Sequence, residues 1–195
     1  MPVVVALPKG GVPVAVEIAG QLGAQLDVLV VRKIGHPRQR ELGLGALAEG
    51  GIAVLPETDR IRAIDRAELD AVIAAEHAEM RRRVDRYRAG RPSVAVAGRP
   101  VILVDDGLAT GVTARAAIES LHRANAAAIT LAVPVGAPEA ITALMPLVDE
   151  VLCLLAPSNF EAVGTWYQDF RQLTDDAVVL ALAESDDPWE NRGSG

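Results

Sequence analysis

Short, unbroken apolar runs alternate along this chain with stretches in which apolar residues recur every three or four positions. The first pattern reads as strands buried on both faces and the second as amphipathic helices. Strands are expected over 3–7, 26–31, 101–104, 127–133 and 148–155, and helices over 12–22, 59–89, 114–124 and 138–145. Gly23 closes the first helix. Between them, 32–41 is polar, basic and broken by Gly35 and Pro37, which predicts a loop and a mobile one. Residues 46–49 and 52–55 flank Gly50-Gly51, a hairpin signal. Residues 90–100 form a connector with an edge strand at 94–96. The stretch 156–173 is irregular, and 177–182 is a last apolar element. Strand alternating with helix predicts a parallel sheet covered by helices on both faces, an α/β Rossmann-like fold. One domain is expected over 1–183, followed by a disordered tail over 184–195.

Composition sharpens this picture. Half the residues are hydrophobic but only 3% are aromatic, so Val, Leu, Ile and Ala must build the core. No apolar run reaches the ~18 residues of a membrane span, and the opening seven residues are too short for a signal peptide. A soluble, cytoplasmic chain with no membrane partner is expected. The formal net charge of −7 argues against a nucleic-acid partner. The basic run Arg81-Arg82-Arg83, with Arg86 and Arg88, belongs instead to the helix over 59–89. Its apolar stripe is Leu69, Ile73, Met80, Val84 and Tyr87, and Glu79 pairs with Arg83. Cys153, the one cysteine, lies in an apolar run and reads as a buried structural thiol rather than a nucleophile. His77 and His122 read as helix-surface residues, and His36 stays open. Of 19 basic residues only Lys9 and Lys33 are lysines, and each follows an apolar run. In a parallel sheet both ammonium groups are then expected at one carboxyl edge.

The sharpest chemistry lies at the exit of the apolar run 101–104. Asp105 and Asp106 stand there, followed by Gly107-Leu108-Ala109-Thr110-Gly111-Val112-Thr113. Two carboxylates so placed can accept hydrogen bonds from neighbouring hydroxyls, as on a ribose. The small-residue loop and the helix after it offer backbone N–H groups to a phosphate. Other nucleotide motifs fail. There is no Walker A loop, and the G-x-G-x-x-A match at Gly43 lies in a hairpin rather than a strand-to-helix turn.

The segment 101–113 resembles the signature of type I phosphoribosyltransferases: four hydrophobic residues, two acids and a loop with Thr-Gly-x-Thr. The likeness covers most of the chain. Pro8-Lys9-Gly10-Gly11 is similar to the family's pyrophosphate loop, where members often hold a cis peptide. Arg32-Lys33 falls where the family places a cation for pyrophosphate, and 36–44 resembles its flexible catalytic loop. Residues 156–175 correspond to a small hood over the acceptor. Trp166, Tyr167 and Phe170, three of the six aromatics, lie there. They could stack a flat acceptor or form a satellite core at the sheet edge. The resemblance implies transfer of a 5-phosphoribosyl group from 5-phosphoribosyl-1-pyrophosphate (PRPP) to a nitrogen nucleophile, a nucleobase or related heterocycle. By it, Asp105, Asp106, Arg32 and Lys33 are the catalytic candidates. Lys9, Gly10, Gly11, the loop from Gly107 through Thr113, Trp166 and Tyr167 are the binding candidates. Mg²⁺ is the implied cofactor, carried by substrate oxygens and water, with Asp105 and Asp106 as the candidate direct ligands. The resemblance also allows a homodimer.

Two departures bear on the acceptor. Ala109 stands where 6-oxopurine salvage members carry an Asp, which argues against hypoxanthine or guanine and is similar to adenine-type members. The chain also opens almost on its first strand, where many relatives have a preceding helix, so part of the hood is expected to be missing or supplied by C-terminal residues. A non-catalytic PRPP-binding regulator is the alternative reading. A hydrolase of ribose phosphates is disfavoured, because no base or nucleophile is apparent in the loops.

Overall fold

The structure is a computed structural model and describes residues 1–55, 59–171 and 173–185. The chain runs β1 (Val3–Ala6), α1 (Gly11–Leu22), β2 (Gln25–Val28), β3 (Val31–His36), β4 (Gln39–Ala48) and β5 (Ile52–Val54). It continues through α2 (Asp59–Arg62), α3 (Arg66–Arg88), β6 (Pro100–Val104), α4 (Val112–Arg123) and β7 (Ala128–Val135). It ends in α5 (Pro138–Leu144), β8 (Glu150–Leu155) and α6 (Asp175–Ser185), with 3-10 turns at Met145–Leu147 and Val163–Trp166.

Five strands form a wholly parallel sheet in the order β2-β1-β6-β7-β8. Side chains alternate across it, as strand geometry requires. Val4, Ala6 and Val104 face a layer containing residues of α1, α3 and α6, whereas Val3, Val5, Val101 and Leu103 face one with residues of α4 and α5. The helices leaving β1 and β6 thus pass to opposite faces of the sheet. Those two strands are hydrogen-bonded neighbours, in register from Val3↔Val101 to Ala6↔Val104. The divergence opens a crevice at their carboxyl ends, the switch point where ligands bind in open α/β sheets.

The fold is the expected Rossmann-like α/β arrangement, but several segments differ from the sequence expectation; the run 26–31 is one, since β2 ends at Val28 and Val31 opens β3. Residues 32–41 are not a loop. They belong to an antiparallel hairpin, β3–β4, with irregular register at Ile34/Gly35 and Gly35/His36. Glycine and basic residues hide the strand character of a stretch whose Ile34, Leu44 and Leu47 pack into the core. The tight turn has the Arg38 N–H donating to His36 Nδ1 at 3.1 Å. With β5 the hairpin makes a second sheet, β3-β4-β5, beside α3 and α4. The Gly50-Gly51 turn is as expected, with φ of 88° and 80°.

The expected helix over 59–89 is two helices. Asp65 accepts from the N–H groups of Ala67 and Glu68 at 3.0 and 3.1 Å and starts α3 as its N-cap. No strand forms at 94–96. The Val94 N–H donates to Asp27 Oδ2 at 2.9 Å rather than to a ladder, and one isolated bridge joins Ala97 to Ala126. Cys153 is half-buried rather than buried, because β8 is an edge strand. Its thiol donates to the Leu155 carbonyl at 3.1 Å, and burial pushes it above the usual thiol range.

The last apolar element is α6. Of the expected tail, Glu184 and Ser185 end this helix and 186–195 lie outside the described residues. Among the described residues no helix is long and apolar enough to cross a membrane.

Candidate active site

The crevice is a cleft of about 960 Å³, built from loops that leave the sheet at its switch point. From β1 come Leu7, Pro8, Lys9 and Gly10; from β6 come Asp105 and Asp106; Thr113 comes from the first turn of α4. The two loops touch. A methyl group on Gly10 would fall 1.7 Å from Asp106 Oδ2, and one on Gly11 would fall 2.5 Å from the Val104 carbonyl oxygen. Only glycine lets the loop after β1 lie against the acidic pair. The Pro8–Lys9 peptide bond is cis.

The first loop leads into the N-terminus of α1. The N–H groups of Lys9 and Gly10 have no acceptor among the described residues, so they join the positive end of the helix as anion donors. The second loop has the same character. Gly111, at φ 71°, is the N-cap of α4, and the N–H groups of Ala109, Thr110, Gly111 and Val112 find no acceptor among the described residues. Leu108 is different. It is buried, its N–H donates to Val135 O and its carbonyl accepts from Ala137 N, so it pins the loop rather than facing a ligand.

Two methyl additions should therefore separate. Gly10→Ala displaces only a side-chain end, so melting should move little while donor affinity falls about tenfold through loss of one carboxylate contact. Gly11→Ala strikes backbone and should lower stability by about 1–3 kcal/mol. Thermal melts beside donor titrations check both.

Asp105 and Asp106 are half-buried and adjacent, with the Asp106 N–H donating to Asp105 Oδ1 at 2.9 Å. Burial first, then the charge of Asp106, holds the Asp105 carboxyl well above the usual carboxylate range. Burial also raises Asp106, against hydrogen bonds that lower it. Carboxylates held at such cost in a cleft are what a ligand with hydroxyls or a cation relieves. The pair can also face Mg²⁺. Among the described residues no cluster of three or more His, Cys, Asp or Glu side chains is placed to hold a metal. Two carboxylates beside two loops with unused N–H groups suit an ion that brings most of its oxygens with it.

The third wall comes from the end of the chain. Tyr167 donates to the Asp106 carbonyl at 2.6 Å and lies 5.1 Å from the Phe170 ring, tilted 44°. Burial first, then the charges of Asp106 and Asp105, pushes the Tyr167 hydroxyl up to about 12, so it stays a donor at neutral pH. Phe170, Asp169, Arg171 and Arg83 also line the cleft, as do Leu173, Thr174 and Ala177. Phe170 is expected among the hood aromatics, whereas Asp169, Arg171, Leu173, Thr174, Ala177 and Arg83 have no individual role in the site on the sequence reading. A polar residue three or four places beyond an aromatic cluster carries no motif, and Arg83 reads only as a helix-surface charge.

The two lysines part company. Lys9 lines the cleft, with its ammonium 2.9 Å from Asp175. Lys33 lies in the β3–β4 hairpin, outside the parallel sheet, its stem against Gly43, and is not in the cleft wall. Arg32 is there too, held by Glu76 of α3 at 2.8 Å. Trp166 is part-exposed beside Tyr167 without lining the cleft.

Residues 1–169 match the model of the phosphoribosyl transferase domain family. The chain belongs to that family. Two curated Mycobacterium tuberculosis proteins, from strains CDC 1551 / Oshkosh and ATCC 25618 / H37Rv, are each provisionally named a phosphoribosyl transferase. Each is 46% identical over 182 residues, or 92% of this chain. The chain spans 41% of the length of these relatives. Among solved structures, TT1426 from Thermus thermophilus superposes with a TM-score of 0.80 at 44% identity. The match covers 94% of this chain and 87% of that one. The family match ends at residue 169, so α6 and the cleft residues around it lie beyond that match.

Proposed function

We propose that this phosphoribosyl transferase domain takes PRPP as donor and transfers its 5-phosphoribosyl group to a ring nitrogen of a flat heterocycle, releasing pyrophosphate. The observation that carries this reading is the contact of the two loops. An acidic pair suited to ribose hydroxyls lies against Gly10, between two helix N-termini with unused N–H groups. One ligand with a sugar between a monophosphate and a pyrophosphate fills that order of groups.

In the reaction the bond from C1 of the ribose to the pyrophosphate oxygen breaks, and its electron pair leaves with the pyrophosphate. The ring nitrogen forms the new bond to C1 and gives its proton to solvent. Asp105 and Asp106 grip the ribose hydroxyls and face the positive charge that develops on the sugar. The N–H groups of 109–112 and the Thr113 hydroxyl hold the 5-phosphate. Lys9 and the N–H groups of Lys9 and Gly10 receive the pyrophosphate. Asp105 and Asp106 would hold Mg²⁺ arriving with the donor, and the ion would supply charge neutralisation to the leaving group. Tyr167 and Phe170 offer rings on which a flat acceptor can stack.

The test is incubation of the protein, Mg²⁺ and PRPP with a panel of purine, pyrimidine and related bases while pyrophosphate release is followed. Base-dependent release names the acceptor. Tight PRPP binding without release for any base supports the regulatory alternative, and absence of binding rejects the donor assignment.

A further inference from the structure

The cation offered to pyrophosphate is already engaged. Lys9 Nζ lies 2.9 Å from Asp175 Oδ1, and Asp175 opens α6, beyond the stretch that matches the family. The two side chains retain only 28% and 19% of their exposure. Thr174 and Ala177 on either side of Asp175 line the same cleft, so the pair forms within it rather than on an outer face.

The two partners are unequally served. Among the described residues Lys9 has this one carboxylate within 4 Å. Asp175 also accepts from the Tyr87 hydroxyl at 3.0 Å and has Arg86 Nε at 3.6 Å, while Arg86 holds the neighbouring Asp176 at 2.8 Å. If Lys9 turns to a ligand, Asp175 keeps a hydrogen bond and a guanidinium, so the exchange leaves no uncompensated charge. Lys9 in turn exchanges a singly charged oxygen pair for a more highly charged pyrophosphate. Its hydrogen bond to Lys9, first, together with Tyr87 and the nearby charges, holds the Asp175 carboxyl below the usual carboxylate range.

We propose that Asp175 is a positioning residue that acts through Lys9: its carboxylate keeps the ammonium in the cleft, hands it to the entering pyrophosphate group and takes it back as pyrophosphate leaves. This rests on the reading of Lys9 as part of the pyrophosphate site. It makes α6 a working part of the donor site and assigns its first residue to the release of product.

The full chain, Asp175→Asn, Lys9→Met and the double variant are titrated with inorganic pyrophosphate in Mg²⁺ buffer, and release is timed by stopped flow. Asp175→Asn should bind pyrophosphate about two- to fivefold tighter, the span of a half-exposed ion pair, and release it more slowly. Lys9→Met should bind more weakly than the wild type, and adding Asp175→Asn to it should change nothing. A folded Asp175→Asn that binds no tighter overturns the proposal. So does an equal gain on the Lys9→Met background, which would mark simple removal of a negative charge. A measurement on the unaltered chain covers the case where Asp175→Asn does not fold. The carboxyl carbon of Asp175, titrated by NMR, should show a higher pKa when pyrophosphate saturates the cleft; an unchanged pKa overturns the hand-over. Equal pyrophosphate binding by wild type and Lys9→Met removes the pyrophosphate site itself. Weaker binding in Lys9→Met with no effect of Asp175→Asn removes this proposal alone.

Discussion

The variant carrying Asp105→Asn and Asp106→Asn should bind PRPP at least about a hundredfold more weakly while folding more stably than the wild type. The binding loss follows from two charge-assisted hydrogen bonds, at roughly 1.5–3 kcal/mol each. The gain in stability follows from linkage. Burial raises both carboxyls above their unfolded values in the folded chain, and the charge of Asp106 raises Asp105 further. A group raised in this way gives stability that is fully present below its unfolded pKa and is lost as pH rises through its folded pKa. At neutral pH the protein without ligand therefore carries a penalty that asparagine removes. Donor affinity of the wild type should rise with pH across the same range, because the ionised pair accepts the ribose hydroxyls. Calorimetric titration with PRPP and thermal melts at pH 5 and 7 check both halves. Undiminished affinity in the double variant rejects the assignment of the pair, and a lower melting temperature rejects the account of its cost.

Arg88→Ala should lower stability by about 3–5 kcal/mol, the cost of stranding buried charge. Arg88, near the end of α3, reaches Glu49 at 2.6 Å and Asp27 at 3.4 Å, and each of the three side chains is 15% exposed or less. Its guanidinium also donates to the Val28 carbonyl at 3.1 Å. The carboxylates hold backbone in turn: Glu49 accepts from Val30 N and Asp27 from Val94 N and Val28 N. This cluster joins the parallel sheet, the hairpin and the connector after α3. Burial already raises the Glu49 carboxyl despite the opposing pull of Arg88. Without Arg88 the Glu49 carboxyl should rise further, so the folded state would hold more protons than the unfolded one and the loss should shrink from pH 7 to pH 5. Urea denaturation at the two pH values reads this directly. A deficit that stays constant or grows in acid contradicts the stranded-carboxylate account.

Most of the sheet was legible because its strands are buried on both faces, and runs such as 101–104 have no helical alternative of that length. The acidic pair and the loop after it were legible for the same reason, since a strand exit fixes where they point. The first strand and turn of the hairpin β3–β4 were not, because Gly35 and Pro37 read as breakers in a basic stretch where, among the described residues, Ile34 alone joins the core. Asp65 was passed over as one more polar residue in a helical stretch, although Asp before a helix is a starting signal. The expectation that the two lysines converge assumed that both followed strands of one sheet. Val31 instead opens a second sheet, and Lys33 went with it. Asp175 could not be found from sequence, because its role depends on a contact with Lys9 across 166 positions.

The parallel pairing of β1 with β6 has a consequence for how this scaffold can diversify. The loops proposed to meet the sugar and its phosphates spring from hydrogen-bonded neighbours whose spacing the sheet fixes, so their relative geometry tolerates little variation. The wall facing them is drawn from 163–171, where short 3-10 and extended pieces rest on the loop through Tyr167 and on Gly107 through Val163. Insertions and exchanges in that stretch reshape the chamber without moving a strand. An enzyme engineer wanting a new base acceptor should thus leave the two glycine-bearing turns alone and randomise the far wall, keeping Tyr167 as its hinge pin.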